Sequence, residues 1–332
     1  MTKIDLARSE YASWCSSLGI DSLSSLNACL NDGQGASIIK LSEEWQERKY
    51  SEIAEAIASV QDRCPIVMMS GPSSSGKTSS SLRIAACCRA IGLNPKVIEL
   101  DNYFHNREDT PRDENGDYDF EALGAMDVNL LGRQLNALMR GEQVELPRYD
   151  FVSGKRVFEG NMLRLDKGDI LFMEGIHALN PDLTPTVDQN CLFKIYISAL
   201  STLPSSGQAN VSTTDVRLLR RIIRDNRTRG LTPEQTIVRW PSVRRGETRY
   251  VFPYEEYADI AFNSSALYDL PVLKAYAGEL LVAIPEDSAA YPKAQELMRM
   301  LSAVVPLSSE DIESIPANSI VREFIGGQVL ER

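Results

Sequence analysis

The chain has 332 residues, 43% of them hydrophobic, with a formal net charge of −11. It is long enough for one large core or two domains. No apolar run reaches eighteen residues, and the opening MTKIDLARSEYASWCSS lacks the basic-then-apolar layout of a signal peptide, so a soluble, cytoplasmic protein is expected, without a membrane partner.

In chain order, residues 1–61 carry apolar positions at helical spacing, broken at GIDS and NDGQG, and predict a helical N-terminal cap. From Pro65 short apolar runs alternate with helical ones: PIVMMS, KVIEL, DILFMEG, LFKIYIS and ADIAFNS. This alternation predicts an α/β domain over 62–285, a parallel sheet flanked by helices. Within it VELPRYDFVSGKRVFEGNMLRL reads as an inserted hairpin, 144–165, turning at Ser153 and Gly154. The polar stretch 200–215 reads as a mobile connection into a lid over 200–230, and 286–332 as a helical C-terminal extension. The six cysteines show no CxxC spacing, so neither a zinc site nor a disulfide framework is expected.

GPSSSGKT, Gly71 to Thr78, matches the GxxxxGK[ST] phosphate loop and lies between an apolar strand and a helix, as such a loop must. Gly71, Ser73, Ser74, Ser75, Gly76 and Lys77, with Thr78 and Ser79, are therefore assigned to ATP. Glycines let the backbone curl so that N–H groups face phosphate oxygens, Lys77 reaches the β/γ-phosphates, and Thr78 offers its hydroxyl to Mg²⁺. The neighbouring strand ends indicate the chemistry, because carboxyl ends of strands face the ligand in an open α/β sheet. KVIEL ends at Asp101, placed to orient an acceptor hydroxyl and take its proton; ILFM ends at Glu174, placed to hold Mg²⁺. No NKxD guanine-reading motif is present, which argues against a GTPase.

Residues 217–249 hold ten Arg, no Lys and three acids, a local +7 that leaves −18 on the rest of the chain. A compact arginine cluster in an acidic body suits a small polyanion and not a nucleic acid, which usually needs a broad basic face. In RLLRRIIRDNRTRG, Arg217, Arg220, Arg221, Arg224 and Arg227 span an arc of about 120° at 100° per residue, opposite Leu218, Leu219, Ile222 and Ile223. The expectation is a hinged lid that packs by its apolar face and closes its guanidiniums over ATP. Arg221 and Arg224 are assigned to charge on the transferring phosphoryl group, Arg220 to ATP, and Arg217 and Arg229 to the substrate side.

GPSSSGKT, LDNYF, PRYDFVSGKR, MEGIHAL and RLLRRIIRDNRTRG resemble, in the same order, the uridine kinase and phosphoribulokinase family of P-loop kinases, over roughly residues 64–283. The resemblance implies ATP-dependent phosphorylation of a nucleoside 5′-hydroxyl, with Asp101 as base, Glu174 on the metal, Tyr149 and Phe151 in the acceptor pocket and Asp119 near the ribose. Two departures stand out. Gly154 and Lys155 replace the family's base-reading histidine, and DYDFEALGAMD is about two residues longer than the family's stretch and lacks its His-Pro. Another small alcohol as acceptor, a sugar, sugar phosphate or polyol, stays open, as does self-association. A non-catalytic ATP-binding module is the alternative of a different class.

Overall fold

The computed structural model describes residues 1–114, 116–200 and 211–330. Three helices come first, α1 (Lys3–Ser17), α2 (Leu23–Asn31) and α3 (Gly35–Val60). The α/β region follows: β1 (Ile66–Ser70), α4 (Lys77–Ala90), β2 (Asn94–Glu99), α5 (Val128–Met139), the hairpin β3 (Val144–Asp150) and β4 (Lys155–Leu163), β5 (Asp169–Glu174) and β6 (Leu192–Ser198). Then come α6 (Thr213–Thr228), α7 (Pro233–Tyr250), β7 (Ile260–Asn263) and α8 (Asp269–Val282), and last α9 (Tyr291–Ser302), α10 (Ser309–Ser314) and α11 (Arg322–Ile325).

Five strands form one parallel sheet in the order β2-β5-β1-β6-β7, and β3 and β4 pair separately as an antiparallel hairpin. All five residues of β1 are buried, as a strand covered on both faces must be. Its alternate residues feed two cores: Ile66 and Met68 join Leu131, Leu135 and Tyr103, while Val67 and Met69 join Ile84, Phe172 and Ile53. Met69 of β1 and Glu99 of β2 both lie beside Glu174, so the strand ends that carry Gly71, Asp101 and Glu174 come level at one edge of the sheet.

A third core joins the two ends of the chain to α6. Leu26 and Ile38 from the N-terminal helices, Leu219 and Ile222 of α6, and Leu297, Ile320 and Ile325 near the C-terminus pack together. The apolar face expected for α6 is therefore correct. The stretch 200–215, read as a mobile hinge, falls mostly outside the described residues, at 201–210. No helix among the described residues is long and apolar enough to cross a membrane.

Candidate active site

The phosphate loop follows β1 and opens α4. A Cβ on Gly71 would sit 1.9 Å from the carbonyl oxygen of Ile197, so only glycine lets the loop cross β6 here. Ser74 takes a positive φ of 58°, the only non-glycine among the described residues to do so, and its hydroxyl and that of Ser75 are buried without a partner. Ser74 lines the cavity, and its strained backbone and orphaned hydroxyl suit a ligand that supplies an acceptor. Among the described residues Lys77 Nζ donates only to the Pro72 carbonyl, at 3.2 Å, which leaves its charge turned to the cavity.

Four carboxylates, Glu174, Asp101, Glu121 and Glu323, line that cavity, which has a volume of about 690 Å³, within the usual range for a small-molecule site. Glu174 accepts from the Thr78 hydroxyl at 2.7 Å, and burial pushes its carboxyl up to about 7 against the opposing charge of Lys77. Asp101 is solvent-accessible within the cavity walls, whose enclosure raises its carboxyl above the ordinary range, again opposed by Lys77. The third is Glu121, raised to about 7 by burial and held in check by Arg221. Among the described residues no cluster of three His, Cys, Asp or Glu could cage a metal. Thr78 and Glu174 instead offer the hydroxyl and carboxylate that would hold a Mg²⁺ ion.

The arginine row divides in two. Arg221, Arg224 and Arg229 reach the cavity and converge on the buried Asp225, with N···O distances of 3.1, 2.8 and 3.6 Å, leaving a net positive cluster. Arg221 also donates to the Ser73 hydroxyl at 2.7 Å. Burial lowers the pKa of Arg221 and of Arg229, with Asp225 opposing the shift in both.

Arg217 and Arg220, expected on the substrate and on ATP, do not reach the cavity. Both are fully buried: Arg220 pairs with Asp269 at 2.5 Å and with the Ser264 carbonyl, and Arg217 forks onto Glu247. The reason is that buried acids on α7 and α8 capture the guanidiniums facing them, since a charge removed from water requires a partner. Arg217 keeps an indirect role, because it donates to the Ser73 carbonyl while Glu247 accepts from the Ser73 N–H at 2.9 Å; together they brace the phosphate loop from behind.

Phe104, Phe120 and Phe151 line the cavity, whereas Tyr149, expected in the acceptor pocket, is buried behind Phe104 and Phe151, edge-on to both. Asp119 does not line it either; its Oδ1 accepts from the N–H of Glu121 at 3.2 Å and so shapes the turn that presents Glu121. Glu121 is the residue missed from sequence, and the two-residue surplus in its segment was the available signal. Gly246 makes room for it, because a Cβ there would lie 2.5 Å from that of Glu121. Gly154 turns the hairpin with φ 71°, and a Cβ on it would strike the Arg107 side chain at 2.7 Å. His177 is buried against Tyr250 and held neutral, its pKa lowered to about 4 by burial.

Comparison with known proteins gives the same picture. The model of the phosphoribulokinase / uridine kinase family matches residues 66–270. Uridine kinase from Deinococcus deserti is 28% identical over 196 residues, covering 59% of this chain and 85% of the relative. Uridine kinase from Macrococcus caseolyticus is 31% identical over 197 residues, with the same coverage. Among solved structures, a possible uridine kinase from Bacillus stearothermophilus aligns with a TM-score of 0.44 at 19% identity, over 65% of this chain and 98% of that one. With the motifs of the matched region lining a single cavity, the chain belongs to the phosphoribulokinase / uridine kinase family of kinases.

Proposed function

We propose that this kinase transfers the terminal phosphoryl group of ATP to a hydroxyl of a small alcohol, and that the alcohol is a nucleoside. The observation that carries the reading is the meeting of the phosphate loop, Asp101, Glu121 and three arginines around one cavity. Lys77 and the loop N–H groups bind the β- and γ-phosphates. Thr78 and Glu174 hold Mg²⁺, which neutralises charge on the phosphates when bound. Asp101 orients the attacking hydroxyl and takes its proton; Glu121 accepts from a further acceptor hydroxyl; Arg221 and Arg224 stabilise the charge that develops on the transferred group. Phe104, Phe120 and Phe151 favour a flat base, because stacking needs only a π-face.

One observation favours a polyol or sugar instead. The turn at Gly154 offers no side chain to a base edge, while Asp101 and Glu121 suit an acceptor rich in hydroxyls. The two readings separate by kcat/KM for uridine, cytidine, adenosine, ribose and several polyols, with ADP and phosphorylated product both measured. Pyrimidine nucleosides are expected to be turned over, with weak discrimination between uridine and cytidine. Turnover of a sugar or polyol with none of any nucleoside would overturn the nucleoside assignment and leave the kinase reading intact.

A further inference from the structure

The C-terminal segment lies beyond the region that matches the family, yet it forms part of the cavity wall. Ile320 packs on the phosphate loop so closely that a Cβ on Gly76 would lie 2.3 Å from its Cδ1. Phe324 is fully buried beneath the Arg220 guanidinium, 4.9 Å from the ring centroid. Arg227 of α6 donates to the carbonyls of Glu323 and Phe324, at 3.2 Å each, and the adjacent Gly326 admits it where a Cβ would collide at 2.7 Å. The backbone that carries Glu323 is thus clamped between the phosphate loop and α6.

Glu323 itself lines the same cavity. Its Oε2 accepts from the hydroxyl of Ser79, two residues into α4 from Lys77, at 2.5 Å. The amide of Gln328 donates to the same Ser79 oxygen at 2.8 Å, so the single hydroxyl proton of Ser79 is committed to Glu323. Oε1 accepts from no protein group among the described residues. A carboxylate is acceptor-only, and phosphate oxygens would repel it, so the group it meets in the cavity must bring an N–H or O–H. In a nucleotide those groups are the ribose hydroxyls and the exocyclic amine of the base.

We propose that the C-terminal segment completes the donor-nucleotide site and that Glu323 accepts a hydrogen bond from the nucleoside part of ATP. This rests on the reading of the cavity as an ATP site. It gives the extension a substrate-contacting role that the phosphate loop alone cannot supply, because that loop recognises only phosphates.

The test is calorimetric binding, without turnover, of ADP, 2′-deoxy-ADP, 3′-deoxy-ADP, the diphosphate of purine riboside (which lacks the 6-amino group) and inorganic tripolyphosphate. The proteins compared are the full chain and its Glu323→Ala and isosteric Glu323→Gln variants, each checked for an unchanged melting profile. Loss of a hydrogen bond to a charged acceptor predicts roughly ten- to hundredfold weaker ADP binding by Glu323→Ala, with tripolyphosphate changed by less than about twofold. The analogue that lacks the contacted group should bind wild type and Glu323→Ala alike, and so identify ribose or amine as the donor. An equal loss for tripolyphosphate and ADP, an equal loss for every nucleotide analogue, or tighter binding of all ligands by Glu323→Gln would each overturn the proposal. Wild type that binds neither ADP nor tripolyphosphate would overturn the ATP site as well.

Discussion

Replacing Arg220 by alanine separates a structural arginine from one that faces the cavity. Arg220 is fully buried, donates to Asp269 at 2.5 Å and to the Ser264 carbonyl at 3.0 Å, and covers the Phe324 ring. Its removal leaves Asp269 buried and unpaired, which costs about 3–5 kcal/mol. At roughly 2 °C per kcal/mol for a chain of this size, Tm should fall on the order of 5–10 °C. The deficit should shrink as pH drops. Burial already raises the Asp269 carboxyl above its ordinary value, and loss of Arg220 raises it further. The native variant then binds a proton that the unfolded chain, with an ordinary aspartate, does not, so its stability increases as pH falls toward the unfolded value. Arg221→Ala, in contrast, should leave Tm within about 2 °C and lower kcat, because Arg221 faces the cavity. The assay is thermal unfolding of both variants between pH 5 and 8, with ADP binding measured alongside. An unchanged Tm for Arg220→Ala with abolished ADP binding would show that Arg220 serves the nucleotide and that the buried pair is unimportant.

Three further outcomes follow from the site. Lys77→Ala should abolish phosphoryl transfer while leaving Tm nearly unchanged, since the one hydrogen bond that Lys77 makes among the described residues is to the Pro72 carbonyl; residual turnover near wild type would remove it from the phosphates. With Glu174 raised to about 7, kcat/KM at limiting Mg²⁺ should rise as pH increases through about 7, because the cation needs the ionised carboxylate. Saturating Mg²⁺ should move that inflection to lower pH, and an identical profile in Glu174→Gln would place the metal elsewhere. Gly154→His should destabilise the hairpin without sharpening pyrimidine preference, because the added side chain meets a positive φ and the Arg107 side chain; improved selectivity at unchanged Tm would contradict this.

What could be read from the sequence follows from how locally each feature is determined. The phosphate loop is contiguous, and a buried strand followed by a helix fixes its orientation, so Lys77 and Thr78 were legible. Asp101 and Glu174 were legible because parallel strands bring their carboxyl ends to one edge, a consequence of topology that needs no side-chain detail. The helix α6 was legible as amphipathic. Which of its arginines face the ligand was not, because that choice belongs to Glu247 and Asp269, acids 30 and 49 residues away from Arg217 and Arg220. Glu121 took the cavity position expected of Asp119 because the segment carries extra residues, and only the folded turn shows which carboxylate is presented. Glu323 had no local signal at all. It reaches the cavity through the shared core of the two chain ends with α6, an arrangement set by tertiary packing alone.

The most direct test of the account follows the γ-phosphate itself. Wild type and Asp101→Asn are incubated with γ-labelled ATP, Mg²⁺ and the best acceptor from the panel, with ADP affinity measured for both. Wild type is predicted to move the label from ATP to the acceptor hydroxyl. Asp101→Asn should bind ADP as wild type does but transfer at least ~10²-fold more slowly, because its amide cannot take the hydroxyl proton. Label released only as inorganic phosphate by wild type, or transfer by Asp101→Asn at the wild-type rate, would contradict the assignment of this cavity as a kinase site built around Asp101.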